Sequence, residues 1–503
     1  MPVSKFLMSL SQIILVCNWV LEGGLIAKFS SFFKNRAALI MSSFVLLHFI
    51  GLIYTSDFEY AFHDIRIKGP LLILPLILST SKPLTEKVIN TILQLFIGSI
   101  IAGTLISICI LTGIVHRQLV DIRAASIFIS HIRFALLICV AIFISGYFFQ
   151  LYDRMIIKLM YVFVIIWLIV FLIIMQSMTG LFALIFTSFI LLIYYLAKSA
   201  NRAIKYGGFV SLILLTLGIF SFIKEIKKKN LGKEIVDFAK LDTFTAHGNK
   251  YLYDPSGQLT ENGHLIWLYV CPNELEASWN KRSKIKYTDK DLKGNEIDFT
   301  LIRFLTSKGV RKDEDAVNAL SSQEVAAIER GVVNVNYQNI SSIEGRIHEI
   351  FWELDLYKTS GDPNGHSITQ RFEFWKAALG IIKENVLFGV GTGDIKNAFE
   401  LEYDKMKSPL IKEWRLRSHN QYLSITVAFG IIGLIWFLIT LIYPMILFNK
   451  TFDYLYITFF LIAIVSFFTE DTLETQAGVT FFAFFNSFFL FIKRNKKEQI
   501  TSE

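Results

Sequence analysis

Long apolar runs joined by short, mostly basic connections fill the chain to residue 223. A polar stretch from 224 to 424 follows, and apolar runs return from 425 onward. Runs of this length match the hydrocarbon thickness of a bilayer, which a helix in a soluble core has no need to do. The pattern predicts helices near 8–27, 37–54, 69–80, 89–114, 125–149, 156–175, 179–197, 207–223, 425–448, 454–468 and 478–492. The expected fold is therefore an all-α polytopic membrane protein with about 11 spans, within a range of 10–12. The run at 69–80 holds Pro70 and Pro75 and reads as a re-entrant or broken helix. Three parts result: an N-terminal bundle (1–223), a large, partly helical loop domain (224–424), and C-terminal helices with a short tail (425–503).

Composition agrees with this reading. The chain is 53% hydrophobic, with 46 phenylalanines and a mean hydropathy of +0.50. The first run lacks a small-residue cleavage pattern after Gly23-Gly24 and is expected to stay as an anchor. Of four cysteines, Cys17, Cys109 and Cys139 fall in predicted spans and Cys271 in the loop, a spacing that offers neither a disulfide framework nor a zinc site. No internal repeat or low-complexity segment is present.

Basic residues set the expected orientation, because short cytoplasmic loops retain Lys and Arg. Lys28, Lys34 and Arg36, then Lys82 and Lys87, Arg154 and Lys158, Lys198, Arg202 and Lys205, Lys450, and the tail Lys493, Arg494, Lys496 and Lys497 mark alternate connections. With these inside, the amino terminus and the 224–424 loop lie outside. The formal charge of +8 then reflects topology, and no nucleic-acid partner is needed to explain it. Within the loop, Asp254-Pro-Ser-Gly257 and Asp362-Pro-Asn-Gly365 read as turns. Helices are expected at 322–331, with a capped start at Ser322 and Glu324, and at 368–385, with Ser367 and Gln370 as a capping box.

A second set of cations breaks the orientation rule. Arg66, Lys68, Arg117, Arg123 and Arg133 lie on or near the outer face, and Arg133, beside His131, falls inside an apolar run. An arginine at that depth needs a partner or a wet cavity; a phosphate-bearing ligand is one candidate and snorkelling to the headgroups the other. Arg371 and Trp375 stand four apart on one helix face, so the indole is expected to hold the guanidinium flat as a second anion clamp. Gly389-Val-Gly-Thr-Gly393 lacks the preceding strand and the lysine of a nucleotide loop. It reads as a tight turn returning the Arg371 helix to the bilayer, with backbone amides free to face a substrate. Ser418-His419-Asn420-Gln421 then ends the polar segment at the membrane boundary. The acidic stretch Glu470-Asp471-Thr472-Leu473-Glu474 reads as a solvated outer loop, with pairing to the arginines or contact with acceptor hydroxyls as alternatives.

Arg371 with Trp375, Gly389–Gly393, His419-Asn420 with Tyr422-Leu423, and Gly430 with Gly433-Leu434 together resemble the signature of the O-antigen ligase family. The resemblance implies a metal-independent glycosyltransferase of the bacterial inner membrane without cofactors. Such enzymes move a glycan from undecaprenyl diphosphate to lipid A-core or another acceptor. By motif match, His419 is the histidine that activates the acceptor hydroxyl and Arg371 the arginine that binds the diphosphate. Arg133, Arg66, Lys68, His131, Trp375 and Asn420 complete the expected substrate-binding set. Three departures stand out: Met178, in Ser177-Met178-Thr179-Gly180, replaces a family arginine; the family often has twelve spans with both ends inside, against eleven here with the amino terminus outside; and the segment 231–345 exceeds the usual loop. The guanidinium groups are expected to keep His419 neutral. Alternatives within the family are an O-antigen polymerase and a protein O-oligosaccharyltransferase. Outside the enzyme class stand a lipid-linked glycan transporter, which calls for cations in the inner half and a repeat, and a sensor with an outer ligand-binding domain.

Overall fold

The computed structural model describes residues 4–117, 122–231, 236–254, 259–337, 343–450 and 453–492. Most of the Asp254–Gly257 turn and the basic tail of Lys493, Arg494, Lys496 and Lys497 lie outside them. Among the described residues the chain is mostly helical, with one two-stranded antiparallel ladder pairing Thr260 with Leu265 and Glu261 with His264. A helix forms at each apolar run. Among the described residues, seven helices are long and apolar enough to cross a membrane, or up to eight counting the bent pair Phe6–Leu21 and Leu25–Lys34. That pair turns by 110° where Gly23 and Gly24 adopt φ of 73° and 65°, a region glycine enters without penalty. Pro70–Thr80, with Pro75 inside it, is a helix of 11 residues, and Tyr454–Thr469 and Gln476–Phe491 have 16 each. At about 1.5 Å per residue these three fall short of a ~30 Å hydrocarbon layer.

Two compact units divide the chain, and they cut it differently from the hydropathy profile. One comprises residues 1–117, 123–194 and 370–503; the other is built mainly from 195–369. Arg371 and His419 therefore belong to the unit that holds most of the membrane helices. In that unit His131–Leu151 is central, with 72% of its apolar window buried, and it packs against Glu86–Leu111, Met155–Ile174 and Tyr454–Thr469. Arg36–Ile50 packs against Gln421–Leu447 and Pro70–Thr80, and the latter against Gln476–Phe491.

The second unit has its own core, in which Ile266, Leu275, Trp279, Leu301, Phe304, Ile328 and Trp352 converge. Its helix Ser322–Glu329 is capped by Ser321, one residue earlier than the sequence suggested. The capping box requires the hydroxyl three positions before Glu324, and Ser321 meets that spacing. In the same unit only 6% of the Arg202–Glu225 window is buried, so its apolar surface is free for lipid.

The glycine segment has a purpose the sequence reading missed. Helix Gln421–Leu447 is interrupted at Gly430, with φ 63° and ψ −165°. The Ile431 amide donates to Val386 O at 2.8 Å, and the Val390 and Gly391 amides donate to Val427 O and Ala428 O, both at 2.9 Å. The Gly393 amide donates to Thr55 Oγ1 at 2.8 Å. These amides are spent within the bundle, on backbone carbonyls and the Thr55 hydroxyl, and not directed at a substrate. The loop thus satisfies the carbonyls that a broken membrane helix exposes. Neither glycine tolerates a side chain: a Cβ on Gly389 would sit 2.4 Å from Ala428 C, and one on Gly430 would sit 2.2 Å from Leu387 C. Gly389→Ala should destabilise the protein by about 1–3 kcal/mol through strain at positive φ together with this clash, read as a lower thermal midpoint in detergent.

Candidate functional site

Three segments of the first unit build the site: residues 370–384 of the helix Ser367–Glu384, the turn Arg417–Asn420, and the loop Glu470–Thr475 between two phenylalanine-rich helices. The helix N-terminus at His131 and the helix Phe58–Lys68 complete it. His419 holds φ of +47°, a left-handed conformation that non-glycine residues enter at a cost. Its neighbours hold it there. Asn420 caps helix Gln421–Leu447 by accepting the Leu423 amide at 3.1 Å and donates to Phe468 O at 3.2 Å. The Trp375 indole donates to Ser418 O at 3.0 Å. The Trp375 indole thus fastens the histidine turn and does not brace Arg371.

Glu470 is the centre of the arrangement. Its Oε1 accepts Arg371 Nη2 at 2.7 Å, its Oε2 accepts His419 Nδ1 at 3.2 Å, and Arg133 Nη1 lies 3.7 Å from the same Oε2. Arg133 Nη2 also donates to Asp471 O at 3.3 Å. Asp471 takes the His419 amide at 3.0 Å and the Ser424 hydroxyl at 2.8 Å. With Nδ1 held by a carboxylate, the neutral imidazole carries its proton there, which leaves Nε2 as its unprotonated nitrogen. The His419 side chain is one-third exposed, while Glu470 and Asp471 are buried.

Charge balance around His419 runs against the sequence expectation. Burial disfavours the imidazolium and so does Arg371, but the Glu470 hydrogen bond and the charges of Asp471 and Glu470 outweigh both, raising its pKa above 6.5. The guanidinium groups do not keep it neutral, because the intervening carboxylates are closer. Burial also raises the Glu470 carboxyl, yet His419, Arg371 and Arg133 hold it below its ordinary value. Asp471 is pushed up by its burial.

A second network lies beside the first. Glu474 accepts Arg417 Nη1 at 2.7 Å, Lys68 Nζ at 3.0 Å and Gln421 Nε2 at 2.9 Å. Lys68 also donates to Asp64 at 2.6 Å, and His48 Nε2 lies 3.8 Å from the other Asp64 oxygen. Gln421 Oε1 accepts the Leu473 amide at 2.7 Å, tying the acidic loop to the helix that begins after His419. Burial raises the Glu474 carboxyl, but Lys68 and Arg417 hold it well below the carboxylate range.

The predicted residues separate clearly. Arg371, His419 and Arg133 meet at Glu470. Trp375 and Asn420 support the turn. Lys68 is fully buried between Asp64 and Glu474, so it braces the loop. Arg66 is exposed and lies against His63. His131 opens its helix and is half-buried. Glu470, Asp471, Glu474 and Arg417 were not among the expected site residues. The stretch that reads as a solvated loop is buried, with Thr472 and Leu473 at 0% exposure, and the alternative, pairing with the arginines, is what the structure shows. A sequence signal existed: three carboxylates in five residues between membrane-type helices are costly without cations to match. Among the described residues, no cluster of three or more His, Cys, Asp or Glu could hold a metal ion.

The comparison with known families falls on the same region. Residues 325–438 match the family model described as O-antigen ligase. This is an O-antigen ligase-family domain. No curated protein matches the chain. The O-antigen ligase match takes in Arg371, Trp375, the glycine loop, His419, Asn420 and the Gly430 break, and it ends before the carboxylates that hold the arginines and the histidine. It supports a ligase- or polymerase-like glycosyltransferase activity and, with the apolar helices, a multi-pass membrane protein.

Proposed function

We propose that the protein is an inverting, metal-independent glycosyltransferase of the bacterial inner membrane. It transfers a glycan from undecaprenyl diphosphate to an acceptor hydroxyl, with ligation of O-antigen to lipid A-core as its reaction. The observation that carries the reading is the meeting of His419 and Arg371, from separate elements, on the two oxygens of Glu470. In the proposed topology all eleven apolar runs are membrane elements, and the 224–424 loop faces the periplasm with the outer-face cations.

The chemistry follows from the groups present. His419 Nε2 takes the acceptor proton as its oxygen attacks the anomeric carbon. The bond from that carbon to the phosphate oxygen breaks, and the diphosphate leaves with the electron pair. Arg371 and Arg133 stabilise the charge developing on the leaving oxygens, the work a divalent metal does elsewhere. Arg133 takes the place of the family arginine missing at Met178. Arg66 and His131 line the approach, and Lys68, Trp375 and Asn420 hold the geometry. Attack opposite the leaving group inverts the anomeric centre.

Because His419 must be neutral to accept a proton and its pKa lies above 6.5, transfer should rise with pH along an acid limb centred above 6.5. A transfer assay across pH checks this, and a limb centred well below that value counts against His419 as the base. Deleting the gene tests the substrate. Loss of long glycan from lipid A with carrier-linked polymer accumulating marks a ligase. Short capped chains mark a polymerase, and unglycosylated exported proteins mark a protein ligase.

A further inference from the structure

One carboxylate serves three cationic side chains from three elements: Arg371 on Ser367–Glu384, Arg133 on His131–Leu151, and His419 on the turn before Gln421. The sharing is uneven. Arg371 holds Oε1 at 2.7 Å, whereas Arg133 reaches Oε2 only at 3.7 Å, and its buried Nε has no hydrogen-bond partner. A guanidinium offers five donors and is best matched by a planar or multiply charged oxyanion. Arg133 Nη2 reaches only neutral acceptors, Asp471 O at 3.3 Å and Thr475 Oγ1 at 3.5 Å, and Glu470, already shared with His419, offers its charge to Arg133 at no closer than 3.7 Å. Neighbouring charges supply no substitute. The Asp471 carboxylate is taken by the His419 amide and the Ser418 and Ser424 hydroxyls, and Glu474 is taken by Lys68, Arg417 and Gln421.

We propose that Glu470 and the donor diphosphate compete for the guanidinium groups of Arg371 and Arg133, and that the carboxylate, once displaced from them, remains on His419 Nδ1. This rests on the functional reading above. Glu470 is thus a positioning residue with two tasks: it keeps the imidazole proton on Nδ1 so that Nε2 is the free base, and it sets how tightly a diphosphate is held. A diphosphate brings more charge and more oxygens than one carboxylate, so it satisfies both arginines better. The exchange links donor arrival to the state of the histidine, since His419 no longer shares its carboxylate with two cations.

Two properties should move in opposite directions in Glu470→Gln. Binding of glycan-free undecaprenyl diphosphate to the full-length protein in detergent should tighten about tenfold, because the buried Arg133 and the partly buried Arg371 lose their internal competitor. Transfer should fall by at least about tenfold, and its acid limb should move to lower pH, since the charge that raises the His419 pKa is gone. A purely structural role would weaken binding and transfer together. Unchanged or weaker carrier binding in Glu470→Gln overturns the exchange and leaves the transferase reading standing. No binding of the carrier to the wild-type protein overturns both. Should Glu470→Gln not fold, Glu470→Asp carries the test. Its shorter side chain cannot hold Arg371 and His419 together, so either carrier affinity rises or the acid limb falls, and the absence of both changes rejects the proposal.

Discussion

Replacing His419 should reduce glycan transfer by about 10²–10⁴-fold, the range general-base catalysis supplies, while the protein still inserts and keeps its fold. Asn is the informative replacement, because position 419 has φ of +47° and asparagine tolerates that region better than alanine does. His419→Asn therefore removes the imidazole and leaves the turn and the Asn420 cap in place. His419→Ala should lose as much activity with some added loss of stability. A transfer assay with purified lipid-linked donor, paired with a thermal unfolding curve, separates the two effects. Full activity in the asparagine variant would remove His419 from the mechanism.

Arg371→Ala should lower kcat/KM for the donor by about 10²–10³-fold, comparable to losing one donor that stabilises a developing oxyanion. The loss has two sources. A guanidinium that would meet the leaving oxygens is gone, and Glu470 loses its shortest cationic contact, at 2.7 Å. Arg371→Lys should retain part of the activity, because an ammonium keeps the charge but not the planar, two-pronged donor geometry. The pH profile provides an independent reading. Arg371 opposes the His419 imidazolium, so its removal should move the acid limb to higher pH. Donor titrations and pH profiles of the three proteins test both statements, and equal donor engagement in all three argues against a diphosphate clamp.

The individual residues differ in how much of their role was readable in advance. Arg371 and His419 stood out because the ordered set of small motifs around them is specific even though each piece is common. Trp375 was placed on the correct helix face, but its partner was misread. Helical spacing says which side chains share a face, and it says nothing about whether an indole finds a guanidinium or a carbonyl from another segment. The glycine loop was recognised as a tight turn, but its amides were given to a substrate. Val390 and Gly391 donate to carbonyls of a helix interrupted at Gly430, a break that hydropathy averages over, and Gly393 donates to the Thr55 hydroxyl.

The membrane character, the positions of the apolar helices and the identity of the motif residues were determined by the sequence alone. Bilayer thickness imposes a run length, and the shortage of water imposes apolarity, so both are written locally in the chain. The state of charge at the site was decided only by tertiary structure. Glu470 to Glu474 had the composition of a solvated loop, yet packing buries it and brings it against Arg371, Arg133, His419, Lys68 and Arg417. Whether a carboxylate or a guanidinium governs the imidazole depends on distances of a few ångströms between segments far apart in the chain. Coulomb energy falls with separation and grows as water is excluded, and neither separation nor exclusion is encoded until the helices pack.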